Sequence, residues 1–89
     1  MIIDPFASAG DSVIGPAREL FEITADDAVE LSKATKGVYI GEGGDLTVRA
    51  IGSSDDVTLR NLVAGTVLAV RLTHVRATGT TAGSLVGFA

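Results

Sequence analysis

Residues 37–50 read Gly-Val-Tyr-Ile-Gly-Glu-Gly-Gly-Asp-Leu-Thr-Val-Arg-Ala, and their pattern decides the fold class. Val38 and Ile40 alternate with Tyr39, and a second alternation covers 46–51. A period of two is typical of strands, because successive side chains point to opposite faces of a sheet. The glycines and acids between the two runs favour a tight turn. The stretch therefore predicts a β-hairpin.

Further strands are predicted on both sides of this hairpin, separated by turn signals about every 8–12 residues. They cover 18–24, 57–60, 66–78 and 85–88. Within 66–78 the alternation changes phase at Thr73–His74, which indicates a β-bulge or a sharp bend. We therefore expect a mainly β fold, a small antiparallel sandwich or barrel of five to six strands.

A short helix is compatible with the segment before the hairpin. Thr24 is followed three residues later by Asp27, which resembles a capping box. The next residues, 28–32, fit one or two helical turns, with a turn or a 3₁₀ segment as the alternative. We expect at most one short helix, over 26–33.

The first sixteen residues differ from the rest of the chain. Asp4-Pro5, Gly10-Asp11-Ser12 and Gly15-Pro16 are signals of turns and of extended chain. A disordered tail is one interpretation, but such tails are usually poor in large apolar residues. We therefore predict an extended N-terminal arm at 1–16 that docks on a surface, followed by a single β domain at 17–89.

The composition limits the classes of function. The chain has 89 residues, which is the size of one domain. Although 46% of the residues are hydrophobic, no apolar run approaches the ~20 residues of a membrane span. The N-terminus has neither a basic region nor an apolar block, so we do not expect a signal peptide. Cysteine is absent and His74 is the single histidine, which excludes zinc sites built from these residues.

The charge argues against nucleic acid as a partner. The net charge is −4, and the seven Lys and Arg residues are spread along the sequence. A chain of this kind is repelled by phosphate backbones. Residues 1–45 carry nine acids and three bases, whereas residues 46–89 carry two acids and four bases. The asymmetry either orients neighbouring subunits or is an ordinary solvated surface.

Two motifs superficially suggest ligands. The glycine-rich 41–45 resembles a phosphate loop, but a strand follows it where a phosphate loop needs a helix N-terminus. The acid pairs Asp26-Asp27 and Asp55-Asp56 lack the alternating oxygen spacing of a calcium loop. Turn and helix-end chemistry explains these acids. We predict neither a metal nor a cofactor.

Catalytic residues are not expected either. His74 lies inside a predicted strand. No nucleophile motif surrounds Ser12, Ser32, Ser53, Ser54 or Ser84. A catalytic histidine needs a nucleophile and an orienting acid around it. We interpret His74 as a packed or interface residue, and we predict that the chain is not an enzyme.

Three blocks of sequence carry a family resemblance. They are 33–46 (Lys-Ala-Thr-Lys-Gly-Val-Tyr-Ile-Gly-Glu-Gly-Gly-Asp-Leu), 64–71 (Ala-Gly-Thr-Val-Leu-Ala-Val-Arg) and 75–82 (Val-Arg-Ala-Thr-Gly-Thr-Thr-Ala). In this order they resemble the small head spike base proteins of gene transfer agents and related tailed phages. The resemblance covers roughly residues 16–89.

The resemblance implies a non-enzymatic virion protein on the capsid exterior, made in the bacterial cytoplasm. Its implied partners are a major capsid protein, further copies of itself, and a spike or fibre protein that it would carry. A pentamer at a five-fold vertex is favoured, with a trimer as the alternative. A decoration or cement protein at three-fold positions is the second interpretation. A small glycan-binding module is the third, although few aromatic residues are present for sugar stacking.

Interface contacts are expected from the apolar residues of the arm and from selected residues of the domain. The arm would bury its large side chains on the capsid or on a neighbouring subunit, and the strand arginines would pair with acids of a neighbour. The predicted interface residues are Ile2, Ile3, Phe6, Val13, Ile14, Tyr39, Arg71 and Arg76.

Overall fold

A computed structural model of the chain describes residues 16–89. Within these residues the fold is mainly β, as predicted, with seven strands and no helix. The strands are β1 (Leu20–Ile23), β2 (Gly37–Ile40), β3 (Gly44–Ala50), β4 (Val57–Leu62), β5 (Thr66–Leu68), β6 (Leu72–Val75) and β7 (Leu85–Phe88).

The strands form two antiparallel sheets around one core. The first sheet has the order β1-β7-β2-β5, and the second has the order β4-β3-β6. Each sheet turns one side inward, because the buried residues are mainly at alternating positions. The core residues of the first sheet are Ile23, Val38, Ile40 and Leu85; those of the second sheet are Leu46, Val48, Leu72 and Val75. The architecture is a small sandwich.

The predicted hairpin of β2 and β3 is wrong. β2 pairs with β5 and β7, whereas β3 pairs with β4 and β6 in the other sheet. The glycine-rich 41–45 therefore carries the chain between the sheets instead of closing a hairpin. Gly44 has a φ of +151°, and a Cβ there would lie 2.6 Å from Thr81 Oγ1, so this position suits glycine.

The predicted long strand over 66–78 is also wrong, because it is divided between the two sheets. β5 pairs with β2, whereas β6 pairs with β3. The fully buried Thr35 stabilises the crossing between them. Its hydroxyl donates to the carbonyl of Val70 (2.7 Å) and accepts from the N–H of Leu72 (3.0 Å). These bonds satisfy backbone groups that an unbroken strand would have paired in a ladder.

The bulge predicted at Thr73–His74 is confirmed. Arg49 and Ala50 are consecutive on β3, but they stand opposite His74 and Leu72 on β6. Thr73 is therefore the extra residue. Its hydroxyl lies 2.9 Å from Nδ1 of His74.

The short helix expected at 26–33 does not form. Asp26 Oδ1 accepts from the N–H of Ala28 (2.8 Å) and of Val29 (3.1 Å), so a single turn begins. The chain then runs beside β6, where the N–H of Leu31 donates to the carbonyl of Thr73 (2.8 Å). Bonds to the sheet edge replace the bonds that a helix would make within itself. The segment covers the open edge of β6.

Candidate interaction surface

The outer side of the four-stranded sheet carries apolar side chains from all four strands. Leu20 lies opposite Phe88, and Tyr39 lies opposite both Val86 and Val67. Residues directly opposite each other point to the same side of a sheet. The alternate residues of these strands face the core, so this set faces outward. We call it the outer apolar face: Leu20, Tyr39, Val67, Val86 and Phe88.

The face is exposed, and the charged Glu22 lies on the same side of the sheet, opposite Val86. Leu20 is 69% exposed, Val67 51% and Tyr39 37%. Gly37 lies opposite Phe88 on this face, and a Cβ there would lie 3.7 Å from both the Phe88 ring and the Val67 side chain. These two side chains therefore approach each other over a glycine. A patch of this kind, with partly exposed apolar groups side by side, marks an interaction site more often than scattered apolar residues do.

The chain enters the sandwich at one end of this face. The N–H groups of Arg18 and Glu19 donate to the carbonyl of Ala89 (2.7 and 2.8 Å). The Nζ atom of Lys36 donates to the carbonyl of Pro16 (3.3 Å). Pro16 therefore lies beside the residue that precedes Gly37. This is the end of the sheet at which Leu20 and Phe88 lie.

A polar cluster occupies the outer side of the second sheet. The carboxylate of Asp56 accepts from Nε of Arg49 (3.1 Å) and from Nε of Arg76 (3.1 Å). Arg76 also donates from Nη1 to the carbonyl of Asp27 (2.7 Å). The Arg76 side chain is only 14% exposed. The cluster thus links the β1–β2 connection to β3, to the turn before β4 and to the end of β6.

Asp27 is held at the margin of this cluster. Its carboxylate accepts from the backbone N–H of Thr78 (2.9 Å) and from the hydroxyl of Thr78 (2.7 Å). These two bonds, the backbone one first, hold the pKa of the Asp27 carboxyl below its ordinary value of 3.8, and the charge of Arg76 adds to the effect. A carboxylate that accepts several bonds in its ionised form is favoured as the anion.

The cluster borders an open cleft of about 550 Å³, which is lined by Asp27, Asp56, Arg76 and three threonines with Gly79. Both carboxylates are engaged by arginine or threonine donors. Among residues 16–89, no group of three or more acids and histidines is arranged to hold a metal ion. Every buried side-chain nitrogen and oxygen of these residues has a hydrogen-bond partner. The arrangement is that of a structural network joining turns.

The predicted interface residues are distributed over separate places. Tyr39 belongs to the outer apolar face. Arg71 is exposed in the crossing from β5 to β6, where its carbonyl accepts from the N–H of Ile51 (2.9 Å). Arg76 is engaged inside the polar cluster. The other predicted contacts lie outside the described residues: Ile2, Ile3, Phe6, Val13 and Ile14.

Four members of the outer apolar face were not expected from sequence: Leu20, Val67, Val86 and Phe88. The sequence feature that could have identified them is the alternation within strands. Val67 points to the side opposite Leu68, and Val86 and Phe88 point to the side opposite Leu85. Alternation separates the two sides of a strand, but apolar residues on both sides leave the buried side undetermined. The sheet pairing was needed to place these residues on one surface.

Residues 16–89 contain no helix that is long and apolar enough to cross a bilayer.

The fold and this surface define the class of protein: it is a small antiparallel β-sandwich with an exposed apolar sheet face. No family model matches the chain, and no curated protein matches it. Among solved structures, it matches a chain of "Capsid of native GTA particle computed with C5 symmetry" with a TM-score of 0.87 and 36% sequence identity. The match covers 98% of this chain and 100% of that chain.

The chain therefore belongs to the family of this capsid chain of a gene transfer agent (GTA) particle. The relation to gene transfer agents predicted from the sequence is therefore confirmed, and the chain is a structural, capsid-associated protein.

Proposed function

We propose that this protein is a non-enzymatic structural component of a virion, placed on the capsid exterior as the oligomeric base of a head spike or fibre. The observation that carries the proposal is the near full-length match to a gene transfer agent capsid chain. The three sequence blocks at 33–46, 64–71 and 75–82 support the more specific role. The polar cluster is compatible with a structural role, because its ionic groups bind one another and connect the turns of the fold.

The proposed partners are a major capsid protein, further copies of this chain, and a spike or fibre protein. A pentamer at a five-fold vertex is the favoured assembly. The matched capsid was computed with five-fold (C5) symmetry, which is compatible with this assembly. Subunits of a cyclic ring contact each other through two different surfaces, so a ring needs one surface that receives and one that inserts.

The placement is tested by electron cryomicroscopy of particles produced with and without the gene for this protein. We expect density on the outer surface at the five-fold vertices, with five copies at each, and its loss when the gene is deleted. Density at the three-fold axes would instead assign the protein as a decoration protein. Density confined to the inside of the shell would contradict the exterior placement.

Self-association is tested by the solution mass of the purified full-length protein. We predict a discrete oligomer at micromolar concentration, because a spike base must hold its own symmetry. Multi-angle light scattering measures this mass directly. A monomer at that concentration would contradict a self-assembled base.

A further inference from the structure

The outer apolar face differs from the other exposed apolar positions of residues 16–89. Val29, Ile51 and Val63 are also exposed, but they lie in connections between strands, and the exposed Val57 stands by itself at the start of β4. The outer apolar face spans four paired strands, so its side chains are held at fixed spacing by backbone ladders. A rigid apolar surface of this kind is suited to receive an extended segment, because little order must be created in the receiving partner.

The sandwich protects other surfaces that could receive such a segment. The edge of β6 is covered by the β1–β2 connection through the bonds of Asp26 and Leu31 to β6 carbonyls. The edge of β4 carries an irregularity at Asn61, whose φ is +59°, and Asp45 Oδ1 accepts from its N–H (3.1 Å). Irregularities of this kind make an edge less regular for strand addition. The outer apolar face has no comparable cover among the described residues.

The residues that precede Pro16 have the length and composition needed to cover the outer apolar face. Fifteen residues precede Pro16, and at about 3.3 Å each they reach up to roughly 50 Å. Four strands spaced about 4.8 Å apart are only about 14 Å wide from the first axis to the last. Residues 2–14 contain no Lys or Arg and five large apolar residues: Ile2, Ile3, Phe6, Val13 and Ile14.

The point of entry places this segment next to the face. Pro16 lies at the end of the sheet that carries Leu20 and Phe88, as its contact with Lys36 shows. Val13 and Ile14 are two to three residues from Pro16, which is within reach of Leu20 in this copy or in a neighbour that abuts the same end. A segment tethered beside its docking surface binds at a high effective concentration.

We propose that the outer apolar face is the docking site for residues 2–14 of this chain, with Ile2, Ile3 and Phe6 seated toward Val67 and Tyr39. In a ring of copies, the segment of one subunit would seat on the sheet of the next, which supplies the inserting and receiving surfaces that a closed ring requires. The docking is independent of the capsid role proposed above, so either can fail without the other.

The absence of cysteine from the chain makes a direct test available. The full-length double variant Ile3→Cys with Val67→Cys places one thiol in the segment and one on the face. The matched control, Ile3→Cys with Arg60→Cys, places the second thiol on β4 of the other sheet, at a side chain that is 72% exposed. Both proteins are oxidised under the same mild conditions and followed on non-reducing gels.

We expect the disulfide to form at least about tenfold faster in the Val67 variant, because docking raises the local thiol concentration. A product of monomer size assigns the docking to the same copy, and a ladder of larger products assigns it to a neighbouring copy. Equal rates in the two variants, or no disulfide in either, would overturn the proposal. Free-thiol titration of each single-cysteine variant confirms that both partner positions react equally.

Tyr39 provides a second readout without cysteines, because it is the only tyrosine and tryptophan is absent. In full-length protein carrying Ile2→Ser, Ile3→Ser and Phe6→Ser, we expect acrylamide to quench Tyr39 fluorescence more strongly than in the parent. The control carries Asp4→Asn, which leaves the apolar residues in place. Unchanged quenching in the triple variant would contradict docking over Tyr39.

Discussion

At the scale of single residues, Asp27 shows how an exposed carboxylate contributes to a fold. Its two bonds from Thr78 join the β1–β2 connection to the turn after β6. The sequence predicted that this acid lies in the first turn of a helix, since it follows Thr24 at capping-box spacing. The acid instead receives N–H and O–H donors from a residue 51 positions away, which no local pattern reveals.

The lowered pKa of Asp27 predicts a pH dependence of stability. The folded chain favours the carboxylate, so its contribution is complete above the unfolded value of 3.8 and is lost as the pH falls through the lower folded pKa. We expect Asp27→Asn to lower the free energy of unfolding at neutral pH, with the difference from the parent shrinking in acid. Urea unfolding across pH 2–7 measures this, with Asp55→Asn, an exposed turn residue, as the control. A difference that is constant with pH would contradict the prediction.

At the scale of elements, the crossing between β5 and β6 depends on Thr35. Thr35→Val keeps the shape of the side chain but leaves the carbonyl of Val70 and the N–H of Leu72 without this partner. Because unsatisfied buried groups cost about 1–3 kcal/mol each, we expect a loss of about 2 kcal/mol or more. Thr35→Ser retains the hydroxyl and is the matched control. Chemical denaturation of both variants measures the difference, and equal stabilities would show that the hydroxyl is not needed.

The passage from β2 to β3 depends on Gly44 in a comparable way. Its positive φ and the close approach of Thr81 leave no room for a side chain. We expect Gly44→Ala to destabilise the fold by about 2 kcal/mol, because both the backbone and Thr81 must move. Gly52→Ala is the control, since a Cβ there meets nothing within 4 Å. Thermal unfolding compares the two, and similar midpoints would contradict this account of the passage.

At the scale of the whole molecule, the sandwich and the N-terminal segment are expected to have separate roles. Deleting residues 2–15 removes none of the described core, so we expect the β-sheet circular dichroism spectrum to be unchanged. Attachment to capsids should be weakened, because the segments that would join neighbouring copies into one base are gone and each copy would then bind alone. Co-sedimentation with particles lacking the native protein measures attachment. Equal binding by the truncated and full-length proteins would exclude a role of residues 2–15 in attachment to capsids.

Much of the fold could be predicted from sequence, because local alternation is a property of each strand. Val38, Ile40, Leu46 and Val48 were assigned to strands correctly, and the phase change at Thr73–His74 located the bulge. Strand pairing could not be predicted in the same way. A turn rich in glycine is compatible with a hairpin and with a passage between sheets, and only the partners available elsewhere in the chain decide between them.

By itself, the sequence determined the mainly β class, the bulge and the relation to gene transfer agent capsid proteins, since each depends on residue types in a fixed order. Only the tertiary structure decided the division of 66–78 between two sheets, the burial of Arg76 in a polar cluster and the assembly of the outer apolar face. The physical reason is that these features depend on contacts between residues far apart in the chain. Alternation along 66–78 is the same for one long strand as for two strands in different sheets, and the hydroxyl that stabilises the division belongs to Thr35, some 35 residues earlier.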